Sequence, residues 1–335
     1  MNSNLILSST KGMSLEQWLA FRVRGIGASD VGTILGMNQY KAPVQLFYEK
    51  LDLYPRRDVM SLPAFMGHFM EDPIAELWEY WGGTVQSMID NYNNDVKVRR
   101  CQRVNAYVQN PKYPWLFVSL DRKINKTANR GEGALEIKNI SGREADKWET
   151  GIPPSHLVQV QTQIMVCEFD FGELAAKKDS FYFDVWEFER NDKICAMVLE
   201  RTKDFWDKVE EGRKLITQKY EAERSYNMRL ANEISHEIEM LEPEPEGTEA
   251  YEKFLKEKFK KSMAEEGLIK GTDIDLATAR KLQEVKEKLK TIEAEKLLHE
   301  NILKRRIGEG KILDFGNEGR VTWQGEPRRF NVKLK

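Results

Sequence analysis

Two strand-like segments joined by a short polar loop constrain the fold of this chain more than any other feature. The first segment, FVSLD, ends at Asp121, and the second, GALEIKNI at residues 133–140, carries Glu136 and Lys138. Side chains alternate along a strand, so Glu136 and Lys138 share one face and apolar residues occupy the other. In an antiparallel pair the end of one strand lies beside the start of the next, so Asp121 and Glu136 are predicted to converge.

Converging carboxylates predict a bound cation, because two such groups repel each other unless one is protonated or both share a positive charge. The sequence from 115 to 140 contains no His or Cys, so we expect a hard cation, Mg²⁺ or Mn²⁺, with the backbone carbonyl of Ile137 as a further ligand. Such a site suits phosphodiester hydrolysis, with Lys138 orienting the attacking hydroxide or neutralising charge on the phosphate. The alternative is an exposed Glu136–Lys138 ion pair that contributes little.

Composition excludes several classes of protein. The 335 residues are 41% hydrophobic and 32% charged with a net charge of −2, as in a soluble globular chain of one large or two ordinary domains. This balance leaves room for a local basic groove. The three Cys and four His show neither disulfide nor zinc-ligand spacing. The apolar runs are too short for a membrane span and the N-terminus lacks a signal-peptide pattern, so we expect a cytoplasmic protein.

Periodicity predicts an α/β part over residues 1–222 and a helical part with terminal strands over residues 223–335. Ser29 or Asp30 is expected to cap a short helix that ends at Ile34. Further helices are expected at 15–22, 43–51, 66–81, 155–167, 194–220, 251–266 and 274–307. Strands are expected at 85–89, 103–109, 115–120, 133–140, 173–176, 181–189, 311–315, 319–324 and 329–332. The last predicted helix has roughly heptad spacing, which fits a hairpin packed on itself or on the first part, or docking to a partner.

Five motifs in a fixed order resemble one known family. They are Trp18-x-x-x-Arg22 with IGASD at 26–30, GHFMEDPIAELWEYWGG at 67–83, VSLD at 118–121, LEIK at 135–138, and IPPSHLVQVQTQIMV at 152–166. This order resembles the YqaJ-type viral recombinases, the group that contains phage lambda exonuclease, within the PD-(D/E)xK nuclease superfamily. The resemblance covers roughly residues 15–190 and not the region after about 225. Leu120 stands where the superfamily usually has Pro.

The resemblance implies a metal site and a catalytic lysine. Asp121 and Glu136 would be metal ligands together with the Ile137 carbonyl, and Lys138 would be catalytic. Glu71 matches the family's helical Glu and would reach the metal directly or through water. For Glu71 the alternative is a place on the solvated face of its helix.

The resemblance also implies residues that handle the phosphate. Gln159 matches the Gln that helps to place the nucleophile or the phosphate, whereas Gln163 is expected on a surface or at a cap. Arg22, Ser29 and Ser119 match residues that hold a DNA 5′-phosphate, and an Arg with two hydroxyls is chemically suited to that role. The alternatives are a surface ion pair for Arg22, a helix cap for Ser29 and an ordinary strand position for Ser119.

The implied fold is a PD-(D/E)xK restriction-endonuclease-like core, a mixed sheet flanked by helices, followed by a helical extension that ends in short strands. The implied activity is that of a Mg²⁺-dependent 5′→3′ exonuclease on double-stranded DNA ends, leaving a 3′ strand for a phage single-strand annealing protein. Ring-shaped trimers are known in this group. The alternatives are an endonuclease or nickase with the same site, and a non-catalytic DNA-binding or assembly protein. Basic residues at 97–103 are further candidates for DNA contact, with a solvated loop as the alternative. Trp148 is expected in the core or in a lid, with stacking on DNA as the alternative.

Overall fold

The computed structural model describes residues 5–54, 61–142, 144–148, 151–179, 182–260 and 269–334. Its helices are α1 Leu15–Arg22, α2 Ala28–Ile34, α3 Pro43–Lys50, α4 Leu62–Phe69, α5 Glu71–Tyr80, α6 Val85–Asn93, α7 Pro154–Cys167, α8 Asp192–Arg224, α9 Met228–Met240, α10 Glu249–Lys258 and α11 Asp273–Ile307. Its strands are β1 Ile6–Ser9, β2 Ile26–Gly27, β3 Cys101–Gln102, β4 Ala106–Val108, β5 Leu116–Ser119, β6 Arg122–Ile124, β7 Gly133–Ile140, β8 Phe171–Lys178, β9 Tyr182–Glu189, β10 Ile312–Asp314, β11 Gly319–Gln324 and β12 Arg329–Leu334. A short 3₁₀ helix spans Ala145–Trp148.

Two mixed sheets lie in the first of two compact units, Met1–Lys260. The five-stranded sheet has the order β3-β6-β7-β8-β9, with β7 and β8 parallel and the other pairs antiparallel. The four-stranded sheet has the order β1-β4-β5-β2, with β2 and β5 parallel. The predicted mixed α/β fold with flanking helices is therefore confirmed.

Helix α7 packs against β7 and β8, and a glycine permits this close approach. A Cβ on Gly172 would lie 2.9 Å from Val160 Cγ1 and 3.1 Å from Ile164 Cδ1, closer than side chains tolerate. Val160 and Ile164 are both fully buried, and their i, i+4 spacing puts them on one face of the helix. The side chains of α7 that point toward β7 can therefore contact residues of that strand.

The single helix predicted over 66–81 is interrupted at Met70, which separates α4 from α5. Pro73 lies in the first turn of α5, where its missing N–H is tolerated. Inside one continuous helix the same proline would have left the Phe69 carbonyl without its partner. The break makes Glu71 the first residue of a helix.

Two further local predictions are wrong. Residues 85–89 form the start of α6 instead of a strand, because the Thr84 hydroxyl accepts from the Ser87 N–H at 3.1 Å and caps the helix. Neither Ser29 nor Asp30 is the N-cap of α2, since Gly27 occupies that position. The Asp30 carboxylate instead accepts from the Gly27 N–H at 3.1 Å.

The remaining predicted elements agree with the observed boundaries to within a few residues, whereas β1, β6 and α9 were not predicted. Helix α8 runs through the boundary predicted near 222, so the division at that point stays a prediction. For the helix predicted at 251–266, α10 covers the first part, and residues 261–266 lie outside the described residues.

The second compact unit is Lys261–Lys335, in which α11 is followed by the antiparallel sheet β10-β11-β12. The heptad-spaced residues of α11 are each more than half exposed: Leu282, Val285, Leu289, Ile292 and Leu297. The packing predicted for this helix stays a prediction. None of the helices in the described residues has the length and apolar character needed to cross a membrane.

Candidate active site

Asp121 and Glu136 meet at a bend where the chain passes from one sheet to the other. Strand β5 ends just before Asp121 in the four-stranded sheet, and β6 begins just after it in the five-stranded sheet. Strand β6 pairs antiparallel with β7, with Arg122 opposite Leu135, so the next register position places Asp121 opposite Glu136. The Ile137 N–H donates to Asp121 Oδ2 at 2.8 Å. The expected convergence of the two carboxylates is present. The strand that pairs with β7 is β6, whereas the sequence had suggested that it would be β5.

Three side chains hold the Glu136 carboxylate. Lys138 Nζ lies 2.6 Å from Glu136 Oε1, and Gln159 Nε2 donates to the same oxygen at 2.7 Å. Gln163 Nε2 donates to Glu136 Oε2 at 2.6 Å. The two glutamines are one turn apart on α7, which aims both at β7. The Glu136 side chain is only 4% exposed, so the alternative of an exposed surface pair is wrong.

The electrostatics of the site favour an additional positive charge. Burial, then the negative charge of Glu136 and that of Glu71, raise the pKa of Asp121 well above its ordinary value of 3.8, against the opposing effects of Lys138 and the Ile137 N–H. Burial alone would lower the pKa of Lys138, but Glu136 and Asp121 raise it above its ordinary value, so its ammonium stays charged. One ammonium thus faces a cluster of carboxylates that still repel one another.

The paired carboxylates fit a hard divalent cation. Asp121 and Glu136 supply oxygen donors from adjacent strands, and a cation shared between them would relieve the repulsion that raises the pKa of Asp121. Across the described ranges, no group of three or more His, Cys, Asp or Glu side chains is arranged to hold a metal. Glu71 contributes charge, while its Oε1 lies 3.0 Å from His68 Nδ1. The side chains that would hold the cation directly are therefore Asp121 and Glu136, with Glu71 outside the direct cluster.

Sequence reasoning missed a set of ion pairs that fixes Glu71 beside the strands. Asp72, the next residue in α5, accepts from Arg103 at 2.7 Å and also pairs with Arg122. The buried Arg122 donates from Nη1 to the Asp121 carbonyl oxygen at 2.5 Å. The start of α5 is therefore tied to the bend that carries Asp121. An Asp directly after the predicted Glu71 was the only signal available in the sequence.

The residues predicted to hold a 5′-phosphate lie near one sheet edge. Arg22 Nη2 lies 3.1 Å from Ser29 Oγ and 2.7 Å from Asp30 Oδ1. Parallel strands β2 and β5 end side by side, which brings Ser29, just past β2, toward Ser119, the last residue of β5. Arg22 thus pairs with the buried Asp30, while its side chain remains partly exposed.

Lys50 completes this arrangement around Asp30. Its buried ammonium donates to Asp30 Oδ2 at 2.8 Å and to the carbonyls of Arg22 at 2.7 Å and Gly25 at 2.8 Å. Burial would raise the pKa of Asp30, but the charges of Arg22 and Lys50 hold it below its ordinary range. Asp30 therefore remains ionised and fixes the position of the Arg22 fork.

Gln163, expected on a surface or at a cap, is instead fully buried against Glu136. We expect Gln163→Leu to lower the free energy of unfolding by about 2 kcal/mol, because a buried charged oxygen loses its donor. For the DNA hydrolysis that the sequence motifs imply, the rate should fall about tenfold or more, because Glu136 loses one of the hydrogen bonds that orient it. Chemical denaturation and a time course of DNA digestion measure both effects.

Gln86→Leu provides the matched control for this prediction. Gln86 lies on the exposed face of α6 and donates only to Asp90, so stability and cleavage should both stay unchanged. Wild-type cleavage by Gln163→Leu would show that the bond to Glu136 Oε2 has no role in the reaction.

Comparisons with known proteins identify similar sequences and structures. Residues 17–170 match the family model described as the YqaJ-like viral recombinase domain. The protein YqaJ of Bacillus subtilis (strain 168) is 27% identical over 327 residues, which are 93% of this chain and 84% of that protein.

Among solved structures, the alkaline exonuclease LHK-Exo from Laribacter hongkongensis aligns with a TM-score of 0.45 and 18% identity, covering 61% of this chain and 97% of that one. A phage-related exonuclease from Haemophilus somnus 129PT aligns with a TM-score of 0.35 and 8% identity, covering 56% of this chain and 95% of that one. The match over residues 17–170, just under half of the chain, confirms the resemblance carried by the five motifs.

Proposed function

We propose that this protein is a metal-dependent deoxyribonuclease that hydrolyses phosphodiester bonds at the Asp121–Glu136 pair. The observation that carries the proposal is the meeting of these two carboxylates at a sheet bend, with the Lys138 ammonium 2.6 Å from Glu136. A buried cluster with excess negative charge is costly unless it has a use. The YqaJ-like domain over residues 17–170 supports a role in DNA processing.

In this proposal Mg²⁺, or Mn²⁺ in its place, is held by Asp121, Glu136 and the Ile137 carbonyl, with Glu71 acting through water. When bound, the cation polarises the phosphodiester and lowers the pKa of a water molecule. Lys138 then neutralises negative charge that develops on the phosphate, because its ammonium stays protonated.

Gln159 links Glu136 and Lys138. Its amide nitrogen donates to Glu136 and its amide oxygen lies 3.5 Å from Lys138 Nζ. This bridge orients the lysine relative to the carboxylate. The same amide is available to place the nucleophile or the phosphate, as the resemblance implies.

The finer proposal is a 5′→3′ exonuclease on double-stranded DNA ends. Arg22, Ser29 and Ser119 would hold the 5′-phosphate of the strand being degraded. The Arg22 fork supports this role because Asp30 fixes it while its side chain remains 24% exposed. The remaining 3′ strand would pass to a phage single-strand annealing protein in the host cytoplasm, and a trimeric ring of the chain would enclose the duplex.

Digestion of three DNA substrates with Mg²⁺ tests the proposed function: linear duplex with a 5′-phosphate, the same duplex with a 5′-hydroxyl, and a closed circle. We expect loss of the linear forms from the 5′ strand, preference for the phosphate, and an intact circle. Arg22→Gln should reduce that preference about tenfold, because a charged hydrogen-bond donor to phosphate is removed. Arg24→Gln, which alters a nearby exposed arginine stacked on Phe21, should leave the preference unchanged.

Two outcomes of this experiment would overturn parts of the proposal. Cutting of the closed circle would show an endonuclease with the same metal chemistry. Cutting that survives Glu136→Ala would remove the carboxylate pair from the mechanism and leave DNA binding without catalysis at this site.

A further inference from the structure

A cavity of about 200 Å³ lies on the sheet face that carries Glu136 and Lys138, and it has no role in the function proposed above. Five residues line it, and we call it the aromatic pocket: Ile140, Trp148, Lys178, Tyr182 and Trp186. The pocket contains three aromatic rings and one cation. Trp148 and Trp186 also pack against the hydrophobic core, but the hydrolysis of a phosphodiester does not require this combination of side chains.

Strand register places the aromatic pocket on the same sheet face as the reacting groups. Glu136 of β7 is in register with Leu174 of β8, which is in register with Trp186 of β9. Residues in register across neighbouring strands point to the same face. Strands are about 4.8 Å apart, so Trp186 lies roughly 10 Å from Glu136 along the sheet. Tyr182 follows two pairs further along β9, on the same face.

Trp148 closes the pocket from the side of the catalytic lysine. Its ring centroid is 5.8 Å from that of Trp186 and 5.2 Å from that of His156, on which it stacks. Burial, followed by the charge of Lys138, lowers the pKa of His156 to about 3, so this imidazole is neutral. The Trp148 ring therefore packs against both the neutral His156 imidazole and the Trp186 ring.

Two charged side chains near the rim of the pocket determine where a negatively charged group of a ligand can bind. Lys178 Nζ lies 6.0 Å from the Tyr182 ring centroid, at the edge of the pocket. Asp184, between the two aromatic residues of β9, accepts from the Tyr182 hydroxyl at 2.9 Å. A negatively charged group is therefore favoured near Lys178 and disfavoured near Asp184.

A nucleobase with its attached phosphate matches this chemistry. Aromatic side chains stack on bases of any sequence, and a nearby cation contacts the backbone. A cavity of this size between a sheet and a short helix admits one unstacked base but not a base pair. A single strand can place a base in the pocket at little cost in free energy, because no base pair has to be broken.

We propose that the aromatic pocket is a subsite for single-stranded DNA, which holds one unstacked base against the rings of Trp148, Tyr182 and Trp186 with the adjoining phosphate near Lys178. The proposal rests on the proposed nuclease function and extends it. The strand that lies across Glu136 and Lys138 would be held on both sides of the reacting bond. The base would fix the position of the phosphate relative to the carboxylates.

Fluorescence anisotropy of a labelled oligothymidylate, measured on the full chain with EDTA to prevent cutting, tests the subsite. We expect Trp148→Leu to weaken binding about tenfold, the effect of losing one stacked base. Trp148→Phe should recover most of the affinity. Tyr226→Leu, a matched control on an aromatic residue that is 91% exposed, should bind like the wild type.

A series of oligonucleotides with one abasic position each makes the test specific. In the wild type one abasic position should weaken binding about tenfold, and Trp148→Leu should be insensitive to that same position. Equal losses for every abasic position in both proteins, or wild-type affinity of Trp148→Leu, would overturn the subsite. A melting curve identifies any variant that has failed to fold, and Trp148→Phe then provides the comparison.

The duplex digestion assay separates this inference from the proposed function. If the wild type cuts DNA but Trp148→Leu keeps its full affinity, the subsite is wrong and the nuclease stands. If the wild type cuts no DNA but binding depends on Trp148 and on one base, the subsite stands and the nuclease assignment is wrong.

Discussion

Replacement of Asp121 by Asn is expected to lower the rate of DNA cleavage by about three orders of magnitude or more, while making the metal-free protein more stable. The loss of rate follows from the loss of one of the two carboxylates that would hold the metal. The gain in stability follows from removing a buried negative charge that Glu136 and Glu71 repel. The amide oxygen of the Asp121→Asn side chain would still accept the hydrogen bond from the Ile137 N–H. A substitution that lowers activity but raises stability is typical of a functional site.

Thermal unfolding of both proteins in EDTA as a function of pH measures the effect on stability. The folded-state pKa of Asp121 is raised above its ordinary 3.8, so protonation favours the folded state. The favourable contribution is complete below the ordinary pKa and is lost as the pH rises through the folded-state pKa. The wild type should therefore lose stability relative to Asp121→Asn across that window. A wild type that is the more stable protein at neutral pH without metal would contradict the electrostatic account.

The sequence was sufficient to identify the strand that carries the site. Gly133–Ile140 was predicted with the observed boundaries because apolar and polar residues alternate over its centre, from Leu135 to Lys138. The convergence of Asp121 and Glu136 also followed from local rules. The identity of the strand that pairs with β7 did not follow from local rules, because the chain passes from one sheet to the other at Asp121. That change depends on tertiary packing, and no local sequence pattern marks it.

The role of Gln163 illustrates a second limit. Helix α7 buries residues on several sides, including Val158, Val160 and Met165, so a glutamine within it needs a buried partner. The sequence contains this signal, but it does not say which group the partner is. Only the packing of α7 on β7 brings Gln163 to Glu136.

Glu71 shows how an element boundary changes the interpretation of a site residue. In one continuous helix over 66–81 this residue would have been an interior position, but the break at Met70 makes it the first residue of α5. The neighbouring Asp72 then anchors the helix through Arg103 and Arg122. Pro73 was the sequence feature that indicated the break at Met70, because a proline in the helix interior cannot continue the hydrogen bonding of α4.

Replacement of Lys138 by Met is expected to lower the cleavage rate by about two to four orders of magnitude, since the group that neutralises or moves charge in the reaction is removed. In contrast to Asp121→Asn, this change should destabilise the metal-free protein by about 2–4 kcal/mol, because Glu136 loses its counter-ion in a buried site. Lys138 Nζ lies 2.6 Å from Glu136 Oε1. Lys214→Met, which removes an exposed pair with Glu211, provides a control with little expected effect.

Divalent cations should distinguish the two variants further. A ligand that binds only the folded state stabilises it in proportion to the logarithm of its concentration over its dissociation constant. With the ammonium gone, Mg²⁺ or Mn²⁺ has no competitor for Glu136, so unfolding of Lys138→Met should depend more steeply on cation concentration than that of the wild type. Asp121→Asn should show the weakest dependence because it lacks a ligand. Equal cation dependence in all three proteins would place the metal elsewhere, and activity with Lys138→Met near the wild-type rate would limit Lys138 to balancing the charge of Glu136.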